Sequence, residues 1–230
     1  MSIKDSIKSS ADAEKKKISE IPGFWKKVQY IWDYYRYWII GIACGIAFCI
    51  SIGHSVYTNM KYTQIFYCAI FNNPLPDEYL ETVETEFSSY YGLDPESETM
   101  HFDSTYVIDE SDSQTTYMTV QKIGAMIAAK SVDVMVGDEF TLAQYAVDGY
   151  YYDFKDIMSE ETYRALSPYM VEYTYTEDGT AYPGMYLIDL TQSKLVQDGI
   201  LYVEQPLAGI VINSQNPLVG VKFIEYIFGL

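Results

Sequence analysis

The sequence predicts an α/β domain, a parallel sheet flanked by helices, preceded by a single membrane-spanning helix. Three observations carry that prediction. The 24 residues between Arg36 and Lys61 contain no Asp, Glu, Lys or Arg. Beyond them, apolar strand-like runs alternate with amphipathic helical ones. The formal net charge of −17 is divided unevenly about the uncharged stretch.

The heart of that stretch is Trp38-Ile39-Ile40-Gly41-Ile42-Ala43-Cys44-Gly45-Ile46-Ala47-Phe48-Cys49-Ile50-Ser51-Ile52-Gly53. A helix rising about 1.5 Å per residue needs roughly 20 mostly apolar residues to cross about 30 Å of hydrocarbon. The span is therefore expected over 38–57. Before it, eight bases stand against five acids, a net of +3; after it, seven bases face 27 acids, a net of −20. Positive charge stays inside, so the amino end is expected in the cytoplasm and the acidic domain, 60–230, outside the cell membrane. Trp25, Trp32, Tyr34, Tyr35, Tyr37 and Trp38 on the inner side, with Tyr57 and Tyr62 on the outer, read as interfacial anchors. Their asymmetry lays the juxtamembrane segment, 24–37, along the inner membrane surface. The tail, 1–23, is polar and Lys- and Ser-rich, which predicts disorder or a loose helix. Each charge of Lys15-Lys16-Lys17 would be worth about 1 kcal/mol beside anionic lipid.

Rival readings of the apolar run fit less well. A cleaved signal has a short charged n-region and a small-residue cleavage site, whereas 37 residues precede this core and no clear A-x-A follows it. Ile42-Ala43-Cys44 resembles the end of a lipoprotein signal, but the apolar stretch before Cys44 is too short. In a soluble core helix, Gly41, Gly45 and Gly53 would be destabilising. Gly41 and Gly45 also form a G-x-x-x-G pattern able to pack two spans together.

The domain elements follow in order. Residues 62–71 are apolar and aromatic without helical period and end at Asn72-Asn73-Pro74, as a central strand would. Tyr79, Leu80, Val83, Phe87 and Tyr90 recur at helical spacing opposite Asp77, Glu78, Glu81, Glu84 and Glu86, and Gly92 is a natural stop. Residues 99–107 alternate as a strand, and Asp109-Glu110-Ser111-Asp112-Ser113 is a loop. Tyr117, Val120, Ile123, Ile127 and Ala128 mark the next helix. Val132-Asp133-Val134-Met135-Val136, closed by Gly137-Asp138, is a short buried strand, and residues 140–147 form a helix ended by Gly149. Strands alternating with helices imply parallel pairing through right-handed crossovers, with both sheet faces covered. About 170 residues suffice for one core. Cys44 and Cys49 fall in the span and Cys68 in a buried strand, so no disulfide or zinc site is expected.

Residues 121–139, Gln121-Lys122-Ile123-Gly124-Ala125-Met126-Ile127-Ala128-Ala129-Lys130-Ser131-Val132-Asp133-Val134-Met135-Val136-Gly137-Asp138-Glu139, resemble a segment of extracellular solute-binding proteins in which a helix leads into a buried strand and an acidic loop. Leu142 to Gly149 with the following Tyr152-Asp153-Phe154-Lys155-Asp156-Ile157 is similar to a helix and turn of that family. Glu177-Asp178-Gly179-Thr180-Ala181-Tyr182-Pro183-Gly184-Met185 is similar to its β-hairpin. Ala208-Gly209-Ile210-Val211-Ile212-Asn213, Asn216-Pro217 and Val221-Lys222-Phe223-Ile224-Glu225-Tyr226-Ile227 look like its return strand and last helix. The resemblance implies one lobe of a type II periplasmic-binding-protein-like fold. It departs from the family where a second lobe would be inserted, since only 17 residues, 189–205, stand there, too few for a folded lobe.

Ligands of open α/β sheets bind beyond the carboxyl ends of the strands, where crossovers diverge. The ligand-binding candidates are thus Asn72, Asn73, Ser104, Thr105, Gly137, Asp138 and Glu139, for a small solute such as a sugar or a peptide. Turn and cap chemistry also accounts for Asn72-Asn73-Pro74 and Gly137-Asp138. Twenty-four tyrosines offer either a carbohydrate- or protein-facing surface or ordinary sheet packing. No catalytic residue, metal site or cofactor is expected: neither His54 nor His101 stands at a telling spacing from a nucleophile or metal ligand, and the acidic loop lacks the glycine turn and terminal Glu of a calcium loop. A net of −20 repels nucleic acid. The expected function is a membrane-anchored extracytoplasmic binding or interaction module with a membrane or cell-surface protein partner. The alternatives are an accessory receptor of an ABC-type importer and, more distantly, an extracellular hydrolase.

Overall fold

A computed structural model describes residues 23–109 and 111–230. The tail expected over 1–23 lies outside them but for Gly23, as do Glu110 of the acidic loop and the Tyr57 side chain. The chain divides at residue 61 into two units.

In the first unit a single helix, α1 (Phe24–Lys61), runs unbroken for 38 residues. The segments expected at 24–37 and 38–57 are thus one continuous helix, with no turn between them. Its stretch Tyr35–Ser55, 21 residues of mean hydropathy 1.8, is nowhere buried. By length and composition it is enough to cross a membrane, as a signal sequence near an amino terminus also is. The core helix of a soluble protein would be mostly buried instead.

The second unit is an α/β domain. Its elements are β1 (Thr63–Phe71), α2 (Asp77–Tyr91), β2 (Glu98–Tyr106), α3 (Ser113–Ala128), β3 (Val134–Asp138), α4 (Glu139–Val147), two short helices α5 (Phe154–Ile157) and α6 (Glu160–Leu166), β4 (Met170–Glu177), β5 (Thr180–Asp189), α7 (Lys194–Gln197), β6 (Pro206–Ile210) and α8 (Pro217–Phe228). Local chemistry sets the ends. Gly92 closes α2 with φ 81°; Asp112 and Asp138 cap α3 and α4 by accepting from backbone N–H groups. Asp178 and Gly179, both at positive φ, form the two-residue turn of the β4–β5 hairpin.

The six strands form one sheet in the order β2-β1-β3-β6-β5-β4. The expected parallel sheet is corrected to a mixed one. β1 runs parallel to β2 and β3, but β6 is antiparallel to β3, β5 to β6 and β4 to β5. The reason lies in the connections. Crossover helices α2 and α3 return the chain to the amino end of the sheet, whereas the later connections start and finish at one end, which reverses direction.

Both faces are covered, so the β1 residues alternate between two apolar layers. Phe66, Cys68 and Ile70 enter one layer with Phe87, Phe102 and Phe223; Tyr67, Ala69 and Phe71 enter the other with Ile123, Met135, Leu142 and Tyr151. In the first layer the Phe66 ring lies 5.2 Å from Phe87 and 5.3 Å from Phe223, centroid to centroid.

Candidate functional site

β1 and β3 are adjacent parallel strands, so their carboxyl ends, Phe71 and Asp138, emerge side by side. β6 starts opposite, Pro206 facing Asp138. These three ends bound an open crevice of about 380 Å³ lined by Asn72, Asp138, Glu139, Phe140, Val203, Glu204 and Gln205.

Asn72 holds the corner together. Its φ of 55° is one that asparagine tolerates because its short amide bonds locally. Nδ2 donates to Asp138 Oδ2 at 2.7 Å and Thr141 Oγ1 at 3.2 Å, and Oδ1 accepts from the Ile108 N–H at 2.8 Å. Asp138 in turn accepts from the Thr141 N–H at 2.8 Å, capping α4. Both polar groups are therefore engaged within the fold. Glu139 accepts from the Tyr173 hydroxyl at 3.0 Å. Burial, then this bond to a carboxylate, pushes the Tyr173 phenol up to about 12. Gly137 lies beneath: a Cβ there would stand 2.9 Å from Leu142 Cδ1 and from Phe71 Cβ.

Three of the seven predicted residues, Asn72, Asp138 and Glu139, thus meet at one crevice, and Gly137 supports it from within. The other three do not line it. Asn73 is fully buried and pins the β5–β6 connection, donating to the Ile200 carbonyl at 3.0 Å and accepting from the Tyr202 N–H at 2.9 Å. Ser104 is buried and accepts from the Leu75 N–H at 3.1 Å. Thr105 faces solvent on β2 and accepts from Lys122 Nζ at 3.3 Å. Sequence reasoning missed Phe140, Val203, Glu204 and Gln205. An aromatic residue in the first turn of a short helix was the one signal for Phe140; the other three arrive through the β3–β6 pairing.

The Phe140 ring, 66% exposed, borders a second open crevice of about 330 Å³ between α3 and α4, whose walls include Ile108, Val120, Gln144, Tyr145 and Tyr150. The Tyr145 and Tyr150 rings meet edge-on, centroids 5.7 Å apart. Burial, then Tyr150 and Asp148, pushes the Tyr145 phenol up to about 12.

Away from these crevices, one polar network ties β1, β2 and α3 together. The Tyr67 hydroxyl lies 2.8 Å from both Asp103 Oδ2 and the Tyr106 hydroxyl, and Lys122 Nζ donates to Asp103 at 3.1 Å. Burial works to raise the Asp103 carboxyl, but hydrogen bonds from Thr105, Tyr67 and Lys122 hold it well below the usual carboxylate range. Among the described residues, no three of His, Cys, Asp and Glu are grouped to hold a metal. Neither crevice is lined by His, Cys, Lys or Arg. What the two sites offer is apolar and aromatic surface with carboxylate and amide groups.

No family model matches the chain, and no curated protein matches it. Among solved structures, the ABC substrate-binding protein Lmo0181 from Listeria monocytogenes in complex with cycloalternan is weakly similar, with a TM-score of 0.28 and 15% identity over 61% of this chain. The match spans 34% of that protein's length.

Proposed function

We propose that the chain is a single-pass membrane protein, amino end in the cytoplasm, whose carboxyl domain is an extracytoplasmic binding or assembly module built like one lobe of a solute-binding protein. Its parts are a cytoplasmic tail over 1–23, a juxtamembrane segment over 24–37, a span over 38–57 and the domain over 60–230. The observation that carries this reading is the unburied apolar stretch Tyr35–Ser55, flanked by a net of +3 before the span and −20 after it. The lobe reading is supported by the short β5–β6 connection, which holds only α7 where a second lobe would be inserted. A lobe without its counterpart leaves an open crevice rather than an enclosed one, which favours a protein partner over tight capture of a small solute. The module is read as non-catalytic, with no cofactor and no affinity for nucleic acid.

Protease added to whole cells tests the topology: the domain should be removed from intact cells. Protection in intact cells with digestion after permeabilisation would overturn the reading. A second reading, an accessory receptor that hands a sugar or peptide to an importer, is favoured by the crevice at the strand ends, where Asn72, Asp138 and Glu139 meet. Under it, the melting temperature of the domain rises with the solute; under the first, a membrane protein is crosslinked and solutes leave the melt unchanged.

A further inference from the structure

We propose that the groove between α3 and α4 is the docking site for an apolar segment of a protein partner that carries lysine or arginine beside its apolar side chains. This rests on reading the domain as an assembly module and names the chemistry of what it assembles with.

The groove is lined by Thr141, which is buried, and by Ile108 and Tyr145, which pack partly against the core, together with apolar side chains the core does not use. α3 buries Thr119, Ile123 and Ile127 against the sheet, and α4 buries Thr141, Leu142 and Ala146. Val120 of α3 and Phe140 of α4, both lining the groove, stand exposed. Apolar side chains gathered about a crevice mark an interaction surface, whereas single exposed ones do not.

Charge selects the occupant. Asp148 lines the groove, and Glu139 and Glu204 line the neighbouring crevice on the far side of Phe140. No lysine or arginine lines either crevice, and the chain beyond the span carries a net of −20. A second copy of so acidic a domain is repelled, and so is an anionic membrane surface. A basic segment is attracted: its apolar side chains enter between Val120, Phe140 and Tyr145, its cations reach the carboxylates, and the Phe140 ring can take a cation on its face.

The test uses the full chain in nanodiscs of zwitterionic lipid and a fluorescent, end-blocked peptide of alternating leucine and lysine, with a leucine–glutamate peptide as control. The lysine peptide should bind, more weakly as salt rises, and the glutamate peptide should not. Phe140→Ser should weaken binding about tenfold, the loss of one anchor. The triple variant Glu139→Gln, Glu204→Gln, Asp148→Asn should lose most of the salt dependence, and an unchanged melt would show both variants folded. Equal binding of the two peptides, unchanged affinity in Phe140→Ser, or self-association that excludes the peptide would each overturn the proposal. Failure here with the domain still shaved from whole cells removes only this proposal; a protected domain that binds the peptide removes only the topology.

Discussion

The backbone N–H of Tyr67 donates to Asp133 Oδ2 at 2.8 Å, across 66 residues of sequence. The other oxygen of Asp133 accepts from the Ser214 hydroxyl. One buried carboxylate thereby joins β1, the entry to β3 and the loop after β6.

Removing that carboxylate should be costly. Asp133→Ala leaves the Tyr67 N–H and the Ser214 hydroxyl without their acceptor, and a loss of about 2 to 4 kcal/mol is expected. Urea unfolding followed by near-ultraviolet circular dichroism checks it. Burial raises the Asp133 carboxyl, with bonds from Ser214 and Tyr67 opposing but not cancelling the effect. A folded value above the unfolded one of about 3.9 means the folded state holds the proton more tightly. The associated stability is present below about pH 3.9 and lost as pH rises through the folded value. Asp133→Asn should lack that slope.

Two glycines should respond oppositely to alanine. At Gly209 in β6 a Cβ would stand 2.7 Å from Leu187 Cδ2 and from Tyr151 Cδ1, so Gly209→Ala overpacks Leu187 and Tyr151 and should cost about 1 to 3 kcal/mol. At Gly124, inside α3, nothing lies within 4 Å. Gly124→Ala should stabilise by about 0.5 to 1 kcal/mol through helix propensity, read in the same unfolding assay.

Alkaline titration should show Tyr145 and Tyr173 among several late tyrosines. Tyr145 and Tyr173 are both held up to about 12, against an ordinary value of about 10. Their stability contribution is present below about pH 10 and lost as pH rises toward 12. Tyrosinate absorbance of Tyr173→Phe should lose amplitude near pH 12 and keep it near pH 10; loss at pH 10 instead would contradict the shift.

The proposed span predicts its own sensitivity. Ile46 lies inside the unburied stretch, and a lysine at the centre of a span costs about 2.5 to 3.5 kcal/mol of insertion. Ile46→Lys should shift protein from the carbonate-resistant membrane fraction to the soluble one, while Trp38→Lys, at the end of the expected span, should shift less.

The candidate site was legible where one residue sufficed to mark it. Asn72-Asn73-Pro74 announces the end of β1, and Gly137-Asp138 announces a strand exit and helix cap, so the corner at the carboxyl ends of β1 and β3 could be read locally. That Asn72 lines the crevice while Asn73 turns inward to bond Ile200, 127 residues away, could not. Nor could Glu204 and Gln205, whose place depends on the start of β6 opposite Asp138.

The sequence by itself determined the apolar helix, the charge divide about it, and the order and type of the main elements through β3 and α4. Each of these is written in nearest-neighbour terms: periodicity, uncharged length, caps and turn residues. Only the tertiary structure decided that the sheet is mixed, that Asp133 clamps β1 to the loop after β6, and that Phe140 stands between two crevices. Strand direction depends on which end of the sheet each connection returns to, and contacts between distant residues form only when the whole sheet closes. Both are properties of the assembled chain, which no local window of sequence contains.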